Sequence, residues 1–272
     1  MKRFLLFITA CLLWFNAIAQ PNLPPSSKHR FIVIAHRGDH VNYPENTLAA
    51  YADAIKNEAD YVEIDLRTTK DSSLVSMHDA TVNRMTNGKG TIKDMTLNDI
   101  EQLQIKSRDS LDKANYRVPT FEEIMNLCKD KIHIYIDFKQ ASAAATYALL
   151  KEYGMEKQVL IYINGIQQLI DWRHVAPDMP LMLSMPNSAK DVEAMRTFIS
   201  QLKPDLLDGN WNGYNNEMIL IAKGMNIPVW PDAQSKDEAP GVWDQAIARG
   251  VTGLQTDHPA ALIIYLKEKG LR

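Results

Sequence analysis

The chain has 272 residues, 46% of them apolar and 23% charged, with a formal net charge of −3. That composition builds a buried core and excludes a disordered chain, and the lack of any basic block excludes a nucleic-acid partner. The length is generous for an ordinary domain and suits a single α/β barrel.

Met1-Lys2-Arg3 is a basic start, Phe4 to Phe15 is apolar, and Ala17-Ile18-Ala19 is a small-x-small site before Gln20. This is the pattern of a secretory signal peptide over residues 1–19, so the protein is expected to be exported, either periplasmic or secreted. Ile8 to Cys11 also resembles a bacterial lipoprotein box, but the apolar run continues past Cys11, which favours cleavage after Ala19. The signal is too short to anchor a membrane protein, and no transmembrane segment is expected in the mature chain. After cleavage Cys128 is the only cysteine, expected inside a helix and not in a disulfide.

Residues 20–30 are rich in Pro and Ser and read as a linker. Phe31 to Ala35 is a buried strand, and Asn46 or Thr47 caps a helix whose stripe is Leu48, Tyr51, Ala52 and Ile55. Tyr61 to Leu66 is the second strand. Leu74 to Met77 follows too closely for a crossover helix and is expected to form a hairpin-like arm that carries His78 back to the strand ends. Residues 79–118 are polar and read as an inserted flap without a core of its own. Phe121 to Cys128 is a helix begun by Pro119 and Thr120.

Beyond this point strands and helices alternate. Strands are expected at Ile132 to Phe138, Val159 to Ile163, Leu181 to Met185, Leu206 to Gly209, Pro228 to Trp230 and Gly253 to Thr256. Helices are expected at Ser142 to Tyr153, Ile166 to Val175, Ala189 to Gln201, Asn216 to Lys223, Ala239 to Arg249 and Pro259 to Lys269. With the two early strands this gives a parallel sheet of the size that closes into a TIM-type (β/α)8 barrel over residues 31–272. A doubly wound open sheet is the runner-up, and it accounts less well for polar residues at so many strand ends.

In such a barrel all carboxyl strand ends face one mouth. His36-Arg37, Glu63, Asp65, His78, Asp137, Lys139, Asp208, Asp232 and Asp257 lie at or near them. Glu63 and Asp65 are two apart on a strand and so share a face, where they repel unless a cation intervenes. With Asp137 they offer oxygen ligands for a hard divalent ion, Mg²⁺ or Ca²⁺, more than for zinc. Arg37 and Lys139 would then face a phosphate, leaving His36 and His78 for proton transfer. His29, His40, His133, His174 and His258 are read as surface or loop residues. Trp211, Tyr214 and Trp230 read as packing, with Trp230 near the mouth.

His36-Arg37-Gly38, Pro44-Glu45-Asn46-Thr47, Glu63-x-Asp65 and His78-Asp79 together resemble the signature of the glycerophosphodiester phosphodiesterase family, and Gly253-x-x-Thr256-Asp257-x-Pro259 is similar to its ending. The resemblance implies a TIM-type barrel with an insertion after the second strand and a divalent metal. It also implies hydrolysis of small-molecule glycerophosphodiesters to glycerol 3-phosphate and an alcohol. By position it implies that His36 and His78 are the acid/base pair, Glu63 and Asp65 metal ligands, and Arg37 and Lys139 phosphate contacts, with Glu45, Asn46, Asp79, Trp230 and Asp257 in support.

Two departures stand out. The family has Glu-x-Lys on its third barrel strand where this chain has Asp137-Phe138-Lys139, which shortens the ligand by roughly 1.3 Å. The family also follows its seventh-strand tryptophan with Thr-x-Asn, whereas Trp230-Pro231-Asp232 stands here, which alters the alcohol side of the pocket. Two other functions share these residues: a phospholipase-type phosphodiesterase on intact lipids or other diesters, and a non-catalytic phosphodiester-binding barrel.

Overall fold

The computed structural model describes residues 20–107, 114–186, 188–189 and 191–272. The expected signal peptide, with Cys11, lies outside the described residues. The parallel strands are β1 (Ile32–Ala35), β2 (Tyr61–Thr68), β4 (His133–Gln140), β5 (Val159–Ile163), β6 (Leu181–Ser184), β7 (Leu206–Asp208) and β8 (Gly253–Thr256). The short β3 (Leu74–Ser76) pairs antiparallel with β2, Leu66 facing Ser76, and is the expected arm leading to His78. The helices are α1 (Leu48–Lys56), α2 (Leu97–Glu101), α3 (Phe121–Cys128), α4 (Ala143–Tyr153), α5 (Ile166–Val175), α6 (Val192–Leu202), α7 (Asn216–Gly224), α8 (Pro240–Ala248) and α9 (Pro259–Glu268).

Around the sheet the order is β7-β6-β5-β4-β2-β1-β8. Residues 228–233 bridge its two ends, so the sheet closes as a barrel and the open doubly wound alternative is excluded. The expected strand Pro228 to Trp230 is not a continuous strand. Leu207 N–H donates to Pro228 O at 2.9 Å and Trp230 N–H to Leu207 O at 3.0 Å, while Gln255 N–H donates to Pro231 O at 3.0 Å. Pro228 and Pro231 have no N–H to return, so the segment supports single bridges and not a ladder.

Local signals set the element ends. Thr47 caps α1 by accepting from Ala50 N–H at 3.2 Å. Thr120 and Glu123 form a reciprocal capping box at α3. Gly154, at φ +65, ends α4 in the left-handed conformation. Cys128 is buried in α3, where burial pushes its thiol up to about 12; an inert core thiol is the result.

Two apolar regions follow from the pleat. Outward residues such as Val33, Val62, Ile134 and Ile161 pack under the helices against Phe121 and Trp172. Inward residues Ile34, Tyr61, Tyr135, Leu160, Met182, Leu206 and Trp230 fill the lumen. Trp230, with its ring 5.4 Å from that of Tyr61, belongs to this apolar fill. Two residues further along each strand, on the same inward face, the side chains turn polar. His36, Glu63, Asp137 and Tyr162 occupy one half of this ring, and Ser184, Asp208, Asp232 and Gln255 the other. The barrel floor is therefore apolar and its mouth hydrophilic.

Gly253 makes the lumen fit. A Cβ there would lie 2.6 Å from Trp230 Cδ1 and 2.9 Å from Ile32 Cβ. Gly253→Ala is expected to cost about 1–3 kcal/mol by overpacking, read as a lower thermal midpoint by circular dichroism. An unchanged midpoint would mean that Trp230 can shift freely.

Residues 20–30, read from sequence as a linker, lie across the amino ends of the strands. Asn22 N–H donates to Asp205 Oδ1 at 2.7 Å, and His29 Nδ1 is 2.7 Å from Asp60 Oδ1. His133 Nε2 is 3.0 Å from Ser26 O, which uses this histidine at the barrel floor. Arg272, buried, reaches Asp60 Oδ2 at 2.5 Å from the other end of the chain. The insertion also differs from expectation. Val75, Met77, Val82, Ile92, Ile100, Ile105 and Val118 form an apolar cluster of their own. The insertion is thus a small packed lobe attached through β3, and not a coreless flap.

Candidate active site

The loop after β1 is wound tightly against α1. Arg37 and Asn46 adopt left-handed backbone (φ 53 and 55), and Gly38 (φ 83) sits where a Cβ would be 2.8 Å from Ala50 Cβ. Left-handed conformation at a bulky residue costs free energy, and Arg37 is held there by what it contacts. Its N–H donates to Glu63 Oε2 at 2.6 Å, Nη1 donates to Glu45 Oε1 at 3.0 Å, and Nε lies 3.6 Å from Asp65 Oδ2. Asn46 Nδ2 donates to Asp65 Oδ2 at 2.7 Å, while its Oδ1 accepts from Tyr51 OH at 2.8 Å and Ser76 Oγ at 2.9 Å. Glu45 and Asn46 therefore position Arg37 and Asp65, well beyond a role in starting α1.

His36 follows β1 on its inward face. Its Nδ1 is 2.6 Å from Asp257 Oδ1, which leaves Nε2 as the nitrogen available to a ligand. His40, read from sequence as a surface residue, is instead buried, with Nε2 3.0 Å from the same Asp257 oxygen. Burial alone would raise the Asp257 carboxyl, but the hydrogen bonds from His36 and His40 outweigh it and hold it well below the usual range.

Parallel pairing of β2 with β4 sets Asp65 directly beside Asp137. Oxygens of Glu63, Asp65 and Asp137 lie within 4.8 Å of one another. Lys139 Nζ donates to Asp137 Oδ2 at 2.5 Å and is 3.4 Å from Asp65 Oδ1, and Asn164 Nδ2 donates to Asp137 Oδ1 at 2.7 Å. Burial pushes the Glu63 carboxyl well up, with the charges of Asp65 and Asp137 adding to it. Asp65 Oδ1 is buried and makes no hydrogen bond, with only the Lys139 ammonium facing it. Three clustered oxygen donors, one of them without a hydrogen bond, fit a hard divalent cation. The shorter Asp137 still reaches the cluster. His36, His40 and Asp257 also converge, with both rings hydrogen-bonded to one Asp257 oxygen and His40 Nδ1 buried without a partner.

The β3 arm delivers His78 beside Asp79, with Nδ1 2.9 Å from Asp79 Oδ1. Arg67 fixes the arm, donating from Nε to Met77 O at 2.9 Å and from Nη2 to His78 O at 2.5 Å. Arg84 of the insertion spans the gap to the first loop. It donates from Nε to Asp79 Oδ2 at 2.7 Å and from Nη2 to Glu45 Oε1 at 2.8 Å. The Arg84 hydrogen bond, ahead of that from His78, holds the Asp79 carboxyl below its ordinary range despite burial.

The family model described as the glycerophosphoryl diester phosphodiesterase family matches residues 36–261. The chain belongs to this family. A glycerophosphodiester phosphodiesterase of Caldanaerobacter subterraneus is 31% identical over 88% of this chain and 99% of its own length. Among solved structures, a glycerophosphodiester phosphodiesterase of Agrobacterium tumefaciens superposes with a TM-score of 0.75 at 22% identity, covering 85% of this chain and 97% of that one. A phosphodiesterase of Oleispira antarctica, solved in complex with the product sn-glycerol-3-phosphate, gives 0.77 at 20% identity, covering 87% and 96%. These likenesses are those of a TIM-type barrel.

Within this member of the phosphodiesterase family, two residues at the site were invisible to sequence reading. His40 meets Asp257 across 217 positions of chain, and Arg84 meets Glu45 across 39. Neither carries a local signal, since a lone basic residue in a polar loop usually faces water. Arg84→Ala is expected to lower kcat/KM roughly tenfold, with Arg84→Lys failing to rescue because it lacks the forked donors. Wild-type kinetics in both variants would reduce Arg84 to a surface ion pair.

Proposed function

We propose that this chain is an exported, divalent-cation-dependent hydrolase that cleaves glycerophosphodiesters to glycerol 3-phosphate and an alcohol. The observation that carries it is the Glu63, Asp65 and Asp137 cluster within 4.8 Å, flanked by Arg37 and Lys139 at the mouth of a barrel of this family. Family membership and the relatives' printed activity support the substrate class. The basic, apolar and small-x-small start supports export.

In this reading Glu63, Asp65 and Asp137 hold Mg²⁺ or Ca²⁺, which when bound supplies charge stabilisation to phosphate oxygens. Arg37, kept in place by Glu45, and Lys139 bind and orient the phosphate. Asp257 and Asp79 each engage the Nδ1 of one imidazole. That leaves Nε2 of His36 and of His78 open, which supports them as the atoms that move protons, one as base on the nucleophile and the other as acid on the leaving oxygen. Among its described residues the insertion packs Val82, Ile92, Ile100, Ile105 and Val118 into its own cluster, which gives no support to insertion into intact lipid.

The test is turnover of glycerophosphocholine, glycerophosphoethanolamine and glycerophosphoglycerol by the chain lacking residues 1–19, before and after chelation, with Mg²⁺ or Ca²⁺ restored. Production of glycerol 3-phosphate that is lost on chelation and recovered with either ion is expected. Turnover indifferent to chelation would remove the metal from the reading, and absence of turnover on all three would remove the activity.

A further inference from the structure

A second acidic group lies across the mouth from the carboxylates of β2 and β4, and the chemistry just described leaves it unused. In the closed ring, β7 and residues 228–233 stand opposite β2 and β4. Asp208 ends β7, and Asp232 follows Trp230 on the inward face, paired with Gln255 of β8. Asp208 is only 2% exposed and Gln255 only 5%. Asp208 Oδ2 accepts from Tyr135 OH at 2.8 Å, and Asp232 Oδ1 accepts from Gln255 Nε2 at 2.6 Å. Of the other three oxygens, Asp208 Oδ1 and Gln255 Oε1 are buried without a hydrogen-bond partner, and the Asp232 carboxylate also takes a hydrogen bond from Gln234.

The wall thus has a surplus of acceptors and of negative charge. Among the described residues no lysine or arginine is ion-paired with either carboxylate, and a charge on His36 would act on Asp232. Burial pushes both carboxyls up, and at Asp208 the charge of Asp232 adds to it. Uncompensated acceptors at this depth are costly, and what compensates them is a group rich in N–H donors that carries positive charge. A primary ammonium has three such donors, a hydroxyl has one and no charge, and a quaternary ammonium has none.

We infer that Asp208, Asp232 and Gln255 form a subsite for a primary ammonium on the alcohol arm of the diester, the chemistry of an ethanolamine head group. The inference rests on the phosphodiesterase reading, because the phosphate held near Arg37 and Lys139 places one arm of the diester on the opposite wall. The plain alternative is that the two carboxyls share a proton and only close the barrel.

Steady-state kinetics on glycerophosphoethanolamine, glycerophosphocholine and glycerophosphoglycerol separate the two. The wild type is expected to favour the ethanolamine diester over the choline diester by about tenfold or more in kcat/KM, because a site built for N–H donors rejects an analogue lacking them. Asp232→Asn keeps the acceptor for Gln255 and removes the charge. It is expected to reduce the ethanolamine-to-glycerol preference by about tenfold. Asp208→Asn is the second variant, and thermal midpoints of both report folding. Equal use of all three diesters by the wild type, or a loss in Asp232→Asn that is uniform across them, overturns the subsite and leaves the phosphodiesterase reading intact. Calorimetry with the same diesters on the wild type, should it turn none of them over, provides the converse. Tighter binding of the ethanolamine diester that Asp232→Asn abolishes, in a protein with no turnover of any diester, keeps the subsite and removes the hydrolase.

Discussion

Replacing His36 or His78 by alanine is expected to lower kcat on a glycerophosphodiester by about a hundred- to ten-thousandfold, the range for loss of a positioned general acid or base. KM should change far less, because phosphate binding rests on Arg37, Lys139 and the carboxylate cluster. The double variant should lose less than the product of the two single losses, since groups that act in one step are not independent. Asp257→Asn and Asp79→Asn are expected to give intermediate losses by freeing the imidazoles to rotate or to take the wrong tautomer. The assay is initial-rate release of glycerol 3-phosphate at saturating metal. Activity that survives both single substitutions would end the case for a histidine pair. A full loss in one with none in the other would assign both proton transfers to a single ring.

The barrel was legible because each layer has its own period. Outward residues such as Val33, Val62 and Ile134 pack under helices, inward ones such as Ile34, Tyr61 and Tyr135 fill the lumen, and so the strands read as continuous apolar runs. The polar ring at the mouth was legible where the runs turn to His36, Glu63, Asp137, Asp208 and Asp232, but not at Tyr162, Ser184 and Gln255, whose residue types carry no charge to mark a site. Pro228 to Trp230 was harder. Its apolar character was right, but two prolines restrict it to bridges, and proline's effect on a ladder depends on which neighbours need an N–H. The insertion's cluster was missed because Val82, Ile92, Ile100 and Ile105 are spaced without helical or strand period. Their convergence is a property of turns such as that made by Thr86, whose Oγ1 donates to Val82 O at 2.8 Å. His40 and Arg84 were missed because their partners lie far along the chain, which no short window can see.

Removing a carboxylate of the proposed metal site should separate function from stability. In the metal-free protein Glu63 is buried beside Asp65 and Asp137, and its carboxyl is raised by burial and by both neighbours. A carboxyl with a folded-state pKa above its unfolded value binds its proton more tightly when folded. Metal-free stability should therefore be greatest below the unfolded pKa and fall as pH rises through the folded one. Glu63→Gln removes that group's share of the dependence, and at neutral pH it is expected to raise the thermal midpoint of the metal-free protein by relieving a buried like-charge contact. The same change should lower kcat/KM by at least about a thousandfold, roughly 4 kcal/mol of transition-state stabilisation, by taking away a ligand. It should also abolish the rise in midpoint that Mg²⁺ or Ca²⁺ gives the wild type. Melting curves between acid and neutral pH, with and without metal, test all three together. A Glu63→Gln midpoint that falls with pH as steeply as the wild type's, or still rises with added metal, would show that Glu63 holds neither the strain nor the ion. Asp137→Glu probes the same cluster from the other side. The longer carboxylate must compete with Lys139 and Asn164 for its present place, and tighter metal binding in that variant would mean that the aspartate keeps the ion weakly held.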